Sequence, residues 1–305
     1  MFEKIVLVTR KTRLEGLVER FNSRGQAKFY IEHAGGDFSD YEREDATYRK
    51  ALDVLRRSLD LGLKTQVVER ALVPTMLFTE KDVVVTAGQD GLVANTAKYV
   101  GDQPIVAVNP DPERFDGLLL RYPPAEARGA LRRVLDGKAA FREVTLAEAA
   151  LTDGQRLLAF NDLYIGARTH VSARYRLAFG GAQEPQSSSG VIVSTGAGST
   201  GWLSSVFNMA AALSGFSGGR PGTPLRMDWE DPRLVFVVRE PFRSRHSRAD
   251  LAAGLIEAGQ ELVLESQMPS GGVIFSDGVE ADALDFNAGA TVRLRAADRR
   301  TRLTC

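Results

Sequence analysis

Three consecutive valines, Val83-Val84-Val85, run through Thr86 and Ala87 into the turn Gly88-Gln89-Asp90-Gly91, and an Ala-rich segment from Leu92 to Tyr99 leaves it. A β-branched run bounded by glycines reads as a strand buried on both faces, the kind found in parallel sheets covered by helices. The segment after it reads as a helix whose N-terminus aims unpaired N–H groups and a positive dipole end at the turn, which suits a phosphate. Gly88 and Gly91 let the backbone approach that phosphate closely. Asp90 is the discordant residue, because a carboxylate repels phosphate unless a metal lies between them or the acid serves as a base. An acid in a phosphate-binding turn therefore points to phosphoryl transfer. The plain alternative is an ordinary α/β turn in which Asp90 caps the helix.

The first 120 residues alternate strand and helix. An opening strand, Lys4-Ile5-Val6-Leu7-Val8-Thr9, is followed by a helix over 46–61 that puts Tyr48, Leu52, Leu55 and Leu59 on one face. Further strands read at 65–69, 83–86 and 104–108. Strands spaced by helices imply an α/β, doubly wound parallel sheet whose ligands sit beyond the carboxyl ends of the strands. The 88–91 turn occupies such an end, and so does Asn109-Pro110-Asp111-Pro112-Glu113-Arg114 after the next strand.

Past residue 120 the character changes. A helix reads over 125–135, and then strands predominate: 174–179 and 292–296 alternate with period two, and 234–238 and 272–275 are further candidates. This predicts an α/β nucleotide-binding domain over 1–120 and a β-rich, sandwich-like domain over 121–305, whose last residues pack back on the first. The Gly/Ser/Pro-rich stretches 180–189 and 214–223 read as loops.

Several function classes recede. Lys+Arg and Asp+Glu balance at 39 each, so no global field favours nucleic acid or an anionic membrane. No apolar run approaches the ~20 residues needed to cross a bilayer. The only cysteine is Cys305, which rules out a disulfide framework or thiolate metal site. His33, His170 and His246 have no metal-ligand spacing. The opening strand leaves no room for a targeting peptide, so a cytoplasmic protein is expected.

The second half carries another informative segment, Gly190-Val191-Ile192-Val193-Ser194-Thr195-Gly196-Ala197-Gly198-Ser199-Thr200-Gly201-Trp202. A strand enters a turn of small residues, and a helix over 206–213 leaves it. Three hydroxyls, Thr195, Ser199 and Thr200, and the helix N–H groups suit the polar edges of a nucleotide, and Trp202 can stack on a base. Alternatively the hydroxyls cap the helix and Trp202 fills core. The four glycines in this stretch exceed what a cap needs.

The ordered set of Gly-x-Asp-Gly after a buried strand, Asn161-Asp162, and Ser-Thr-x-x-Gly-Ser-Thr resembles the NAD kinases across nearly the whole chain. Lys11-Thr12-Arg13, the run 108–114, Ser188-Ser189-Gly190 and Arg239-Glu240-Pro241 resemble the mitochondrial-type branch. The resemblance implies an active site between two domains and ATP with Mg2+ phosphorylating the adenosine 2′-hydroxyl of NAD. It implies Asp90 as general base, with Gly88, Gln89, Gly91 and Lys11 toward the ATP phosphates and Mg2+ held mainly by the nucleotide. Asn161, Asp162, Thr195, Gly198, Ser199, Thr200 and Trp202 then bind NAD. A homodimer or higher homo-oligomer is expected, with small-molecule nucleotides as its other partners.

The departures from the family pattern are specific. Gln89 stands where the family has a second glycine, Leu92 where it has threonine, and Gly196-Ala197 where it has Pro-Thr. If position 89 requires positive φ, glutamine is strained there, and its side chain intrudes where phosphate oxygens should lie. Its amide can instead donate to a phosphate. Two other readings therefore stay open: a related kinase acting on a lipid, sugar or nucleoside hydroxyl, and a catalytically weak NAD(P)-binding protein. Arg10 and Lys11, after the first strand, are candidate triphosphate contacts. The cluster Arg239, Arg243, Arg245 and Arg248 is either a phosphate-neutralising site or a solvated loop.

Overall fold

A computed structural model describes residues 2–220 and 222–305, which divide into two units, the first running to residue 142 and taking in 302–305, the second within 143–301. The first contains β1 (Lys4–Thr9), α1 (Arg13–Phe21), α2 (Arg24–His33), α3 (Phe38–Ser58), β2 (Lys64–Glu69), β3 (Asp82–Ala87), α4 (Asp90–Ala97), β4 (Ile105–Val108) and α5 (Ala127–Leu135). Its strands run in parallel in the order β2-β1-β3-β4. Every residue of β3 is buried, as its valine run requires. On one sheet face Ile5, Leu7, Val83, Val85, Val106 and Val108 pack with Leu55 and Leu59 beside α5's Ala127 and Leu131. The alternate residues Val6, Val8, Val84 and Ala107 are buried as well, so both faces are covered.

The first unit extends beyond the boundary drawn at residue 120. Ala127, Ala130, Leu131 and Val134 present the apolar stripe of α5 to this core, and a stripe of that kind goes with whatever it covers. The chain's last residues return to the same unit: Leu303 pairs in parallel with Ile105, and the Thr304 hydroxyl donates to the Ile105 carbonyl at 3.1 Å. The third helix begins at Phe38, eight residues earlier than its apolar face indicates, because Asp37 caps it by accepting from the Ser39 N–H at 2.8 Å. Helices α1 and α2 were not expected. They share a small core of Leu14, Ala27 and Phe38.

The second unit contains β5 (Phe141–Leu151, entering from the first), β6 (Arg156–Ala159), β7 (Asp162–Ala167), β8 (Ala173–Phe179), β9 (Ala182–Ser188), β10 (Val191–Ser194), α6 (Trp202–Phe216), β11 (Leu234–Val238), β12 (Ala253–Ile256), β13 (Leu262–Ser266), β14 (Gly272–Ser276), β15 (Val279–Asp285) and β16 (Thr291–Thr304). One sheet runs β16-β13-β8-β9, with β5 paired to β16 and β6. The other is antiparallel in the order β12-β11-β10-β7-β14-β15. Tyr175, Leu177, Leu264 and Leu294 from the first meet Leu163, Ile165, Val193, Phe236 and Ile274 from the second in one core, which makes a sandwich.

The stretch 180–189 is a strand and not a loop. Gly180 and Gly181, at φ +59° and +82°, turn a hairpin between β8 and β9. Because β9 lies at the sheet edge, Pro185 is tolerated. Its inward side chains are the polar Glu184, Gln186 and Ser188, so no hydrophobic alternation marks it. Their hydrogen bonds are made inside: the Tyr175 hydroxyl reaches Gln186 Oε1 at 3.0 Å and Ser188 Oγ at 2.7 Å.

Candidate active site

In the first unit the 88–91 turn joins β3 to α4 at the carboxyl end of the sheet. Gln89 is the residue before α4, at φ −92° and ψ 168°, exposed and making no side-chain cap. That is extended backbone open to any residue, so the strain expected at position 89 is not there. The Leu92 side chain folds over Gly88, whose added Cβ would lie 2.6 Å from Leu92 Cδ2. Gly91 faces open space.

Asp90 is the first residue of α4 and half-buried. It caps nothing. Its two carboxylate oxygens accept from the Leu118 and Leu119 N–H groups at 3.2 and 2.9 Å. Asn109 shapes the same 109–120 loop, accepting from the Asp111 N–H at 3.0 Å and donating to the Phe115 carbonyl at 2.9 Å. Gly117 completes it at φ +61°. The loop after β4 is thus moulded around the acid of the neighbouring turn.

The end of β1 is crowded with charge. Thr12 caps α1 through a reciprocal pair with Glu15, which gives the Lys-Thr-Arg segment a structural purpose. Lys11 pairs with Glu19 at 2.7 Å, and that bond, above all, raises its pKa. Lys11 therefore serves a surface ion pair rather than the turn. Arg10 lies over the Tyr48 ring and bonds to Glu44 at 3.0 Å. Arg13 joins Glu44 to Asp40, and Arg114 binds Asp40 through two nitrogens at 2.7 and 3.1 Å. The guanidiniums of Arg114 and Arg13 hold the Asp40 carboxyl far below the usual range. Burial raises the Glu44 carboxyl, and its bonds to Arg13 and Arg10 outweigh that and lower it. A cleft of about 880 Å3 opens beside this network, with Arg10, Lys11, Tyr48 and Arg49 on its wall. Tyr48 links it to the turn by donating to the Ala87 carbonyl at 2.8 Å and accepting from the Arg10 N–H at 3.0 Å.

In the second unit the Asn161-Asp162 pair and the 195–201 turn come together. The Asn161 carbonyl accepts from the Thr195 N–H at 2.9 Å, and the Thr195 hydroxyl donates to the Phe160 carbonyl at 2.6 Å. The glycines have specific tasks in this packing. A Cβ on Gly198 would lie 2.1 Å from the Asn161 carbonyl, and one on Gly196 1.7 Å from that of Asp228. Two of the three expected hydroxyl contacts are already committed: Thr195 and Ser199 are buried, and Ser199 donates to the Gly196 carbonyl at 2.7 Å. Thr200 is the exposed one. None of the three caps α6, which starts at Trp202, earlier than the sequence indicates, with no side-chain cap.

Asp162 is only 7% exposed, and burial, reinforced by the nearby Asp277 carboxylate, raises its pKa to about 7. Asp277 was missed from sequence. Its carboxylate accepts from the backbone N–H groups of Phe160 and Asn161 at 2.9 and 2.7 Å, fixing the strand that presents the pair. It sits at φ +52° before Gly278 at +69°, in the β14–β15 hairpin. The Asp-Gly dipeptide was the available signal. Trp202 stacks on Tyr164 with centroids 5.8 Å apart, and the Arg239 guanidinium lies over the indole at 5.4 Å. The arginine cluster is accordingly divided, for Arg243 turns to Asp250 at 2.6 Å. Among the described residues no group of three or more His, Cys, Asp and Glu side chains gathers around a metal-sized space, and no helix is long and apolar enough to cross a membrane.

No protein-family model matches the chain. It is 25% identical to NAD kinase 2, mitochondrial, of Rattus norvegicus, over 79% of this chain and 74% of the relative. It is 24% identical to the Homo sapiens protein of the same name, over 79% and 71%. Among solved structures it is similar to an NAD kinase from Archaeoglobus fulgidus in complex with ATP: TM-score 0.56, 16% identity, 99% of this chain and 93% of that one. It is also similar to yeast NADH kinase complexed with NADH: TM-score 0.57, 15% identity, 100% and 84%. Both share the two-domain fold.

Proposed function

We propose that this chain, which belongs to the NAD kinase family and is a kinase of the transferase class, phosphorylates the adenosine 2′-hydroxyl of NAD with MgATP to give NADP. The observation that carries the reading is Asp90: a carboxylate in the helix-opening turn after a buried parallel strand, oriented by two backbone N–H groups of the next loop. Phosphoryl transfer asks mainly for positioning and charge neutralisation. The 2′-oxygen attacks the γ-phosphorus, the bond from that phosphorus to the β–γ bridging oxygen breaks, and ADP departs. The hydroxyl proton passes to the Asp90 carboxylate. Mg2+ enters with ATP as part of that substrate. The helix N-terminus and the exposed Gln89 amide supply donors to the phosphates in place of the family's second glycine. In the second unit, Asn161 and Asp162 take the ribose, the 195–200 turn the polar edge, and Trp202 the base.

The test is to incubate the protein with ATP, Mg2+ and NAD and to read NADPH through an NADP-specific dehydrogenase. ATP hydrolysis stimulated by a lipid, sugar or nucleoside and not by NAD would replace this reading with the related kinase. Tight NAD binding without turnover would leave a binding protein.

We also propose that two copies associate through α6. Its fifteen residues include no Asp, Glu, Lys or Arg. Val206, Met209, Leu213 and Phe216 follow a 3-4-3 spacing, the seam of a helix pair. Met209, Leu213 and Phe216 are 44, 60 and 93% exposed, and a face without charge fits a copy of itself and offers nothing to a charged partner. Cytoplasmic residence is likewise our assignment, although both mammalian relatives are named mitochondrial; fractionation against compartment markers tests it.

A further inference from the structure

The face of the antiparallel sheet turned away from the sandwich core carries a cleft of about 390 Å3. Along β7, Leu163, Ile165 and Ala167 point into the core, so Asp162, Tyr164 and Gly166 share the opposite face. The Tyr164 ring is seated by two glycines. A Cβ on Gly166 would lie 2.5 Å from the Tyr164 hydroxyl oxygen, and one on Gly190 2.6 Å from its Cε2. The Tyr164 hydroxyl is within hydrogen-bond distance of the Ala167 and Ser189 carbonyls, at 3.1 and 3.2 Å. Phe275, its partner across β14, stacks on it at 4.8 Å, and Trp202 stacks from α6 at 5.8 Å with planes 17° apart. The indole is therefore held by a fixed aromatic column.

Arg239 lies above that indole and lines the cleft with Glu240, Arg168 and His170. Its backbone is fixed, with its N–H on the Gly190 carbonyl at 2.8 Å and its carbonyl accepting from the Ser189 N–H at 2.9 Å. Glu240 follows at φ +44°, a conformation costly for a side chain and more so before Pro241. Strain of this kind is retained where something else specifies the backbone. The nearest carboxylate oxygen to the guanidinium, Glu240 Oε1, stands 3.7 Å away, beyond hydrogen-bond length. A planar cation thus rests on the aromatic surface that a nucleotide base would use, and the cleft has room for a nucleoside monophosphate.

We propose that Arg239 is the anion-binding residue of this cleft: the base takes the indole surface, and the guanidinium meets the phosphate attached to its nucleoside. This rests on the NAD reading of Trp202 and extends it to the charge of the ligand. Guanidinium–phosphate pairing is bidentate and directional. Arg239 therefore selects nucleotides over nucleosides, and while it covers the indole it competes with an uncharged base.

Calorimetric titration of NAD, AMP and adenosine into the wild type, Arg239→Ala and Arg239→Lys decides it. Arg239→Ala should weaken NAD and AMP about tenfold or more and leave adenosine unchanged or tighter. Arg239→Lys, which keeps charge but not the planar fork, should recover part of the phosphate effect. Unchanged NAD and AMP affinities, or equal loss for all three ligands, would overturn the proposal. A change in melting temperature that accompanies equal loss would make Arg239 a packing residue. Failure of the NAD reading looks different: the wild type then gives no saturable NAD heat, while a retained AMP-over-adenosine preference that Arg239→Ala abolishes still supports the arginine's role. Absence of that preference in the wild type overturns the role too.

Discussion

Asp90 illustrates how one side chain serves structure and the proposed chemistry together. Its carboxylate orders residues 118 and 119, so Asp90→Asn, with a single acceptor oxygen, leaves one backbone N–H without its partner at a cost of about 1 kcal/mol. The same change removes the proposed base and should lower NADP formation by roughly 10²-fold or more, with NAD affinity retained. Steady-state rates and calorimetric NAD affinity separate the two effects, and near-normal turnover would remove Asp90 from the chemistry. Gln89 makes a contrasting case. With φ at −92° there is no strain for glycine to relieve, and glycine adds freedom to the unfolded chain. Gln89→Gly should therefore lower stability by about 0.5–1 kcal/mol and raise the Michaelis constant for ATP, as read by thermal melts and initial rates. A stabler, faster variant would return position 89 to the account in which glutamine obstructs the site.

At the scale of elements, what the sequence revealed depended on which face each element buries. β3 and β4 are buried on both sides and announce themselves by composition; β9 hides because its inward residues are polar and paired. The 195–201 turn was read correctly as a strand-to-helix connection, but the Thr195 hydroxyl and the glycines at 196 and 198 serve the backbone of Phe160, Asn161 and Asp228, contacts made with partners more than 25 positions away. α6 gives the element-scale prediction. Leu213→Glu with Phe216→Glu places charge on exposed positions, so the fold should lose no more than about 0.5 kcal/mol. Sedimentation velocity should then show the wild-type dimer becoming a monomer. A wild type that is already monomeric at tens of micromolar would end the proposal that two copies meet at this helix.

For the whole molecule, stability should fall as pH rises through the range where Asp162 titrates. An unfolded aspartate loses its proton near 4, whereas the folded one keeps it to about 7. Between those values the native state binds the extra proton, and each pH unit gained costs stability, on the order of 4 kcal/mol in total at most. Denaturant titrations at pH 5, 6.5 and 8 should show that slope, and Asp162→Asn should flatten it and be the more stable protein at pH 8. An unchanged slope would mean that Asp162 ionises freely in the fold. The sequence by itself determined the parallel sheet, the β-rich second half and the positions of Asp90, Asn161-Asp162 and the small-residue turn. Each rests on local periodicity or on a motif contiguous in the chain. Only the tertiary structure decided that Gln89 is extended, that Lys11 is paired to Glu19, that Asp277 braces the Asn161-Asp162 strand, and that Arg239 leaves its neighbouring arginines to lie on Trp202. Those outcomes depend on which side chains and carbonyls meet across the fold, and residues 37 positions apart, as Trp202 and Arg239 are, meet by packing and not by any pattern along the chain.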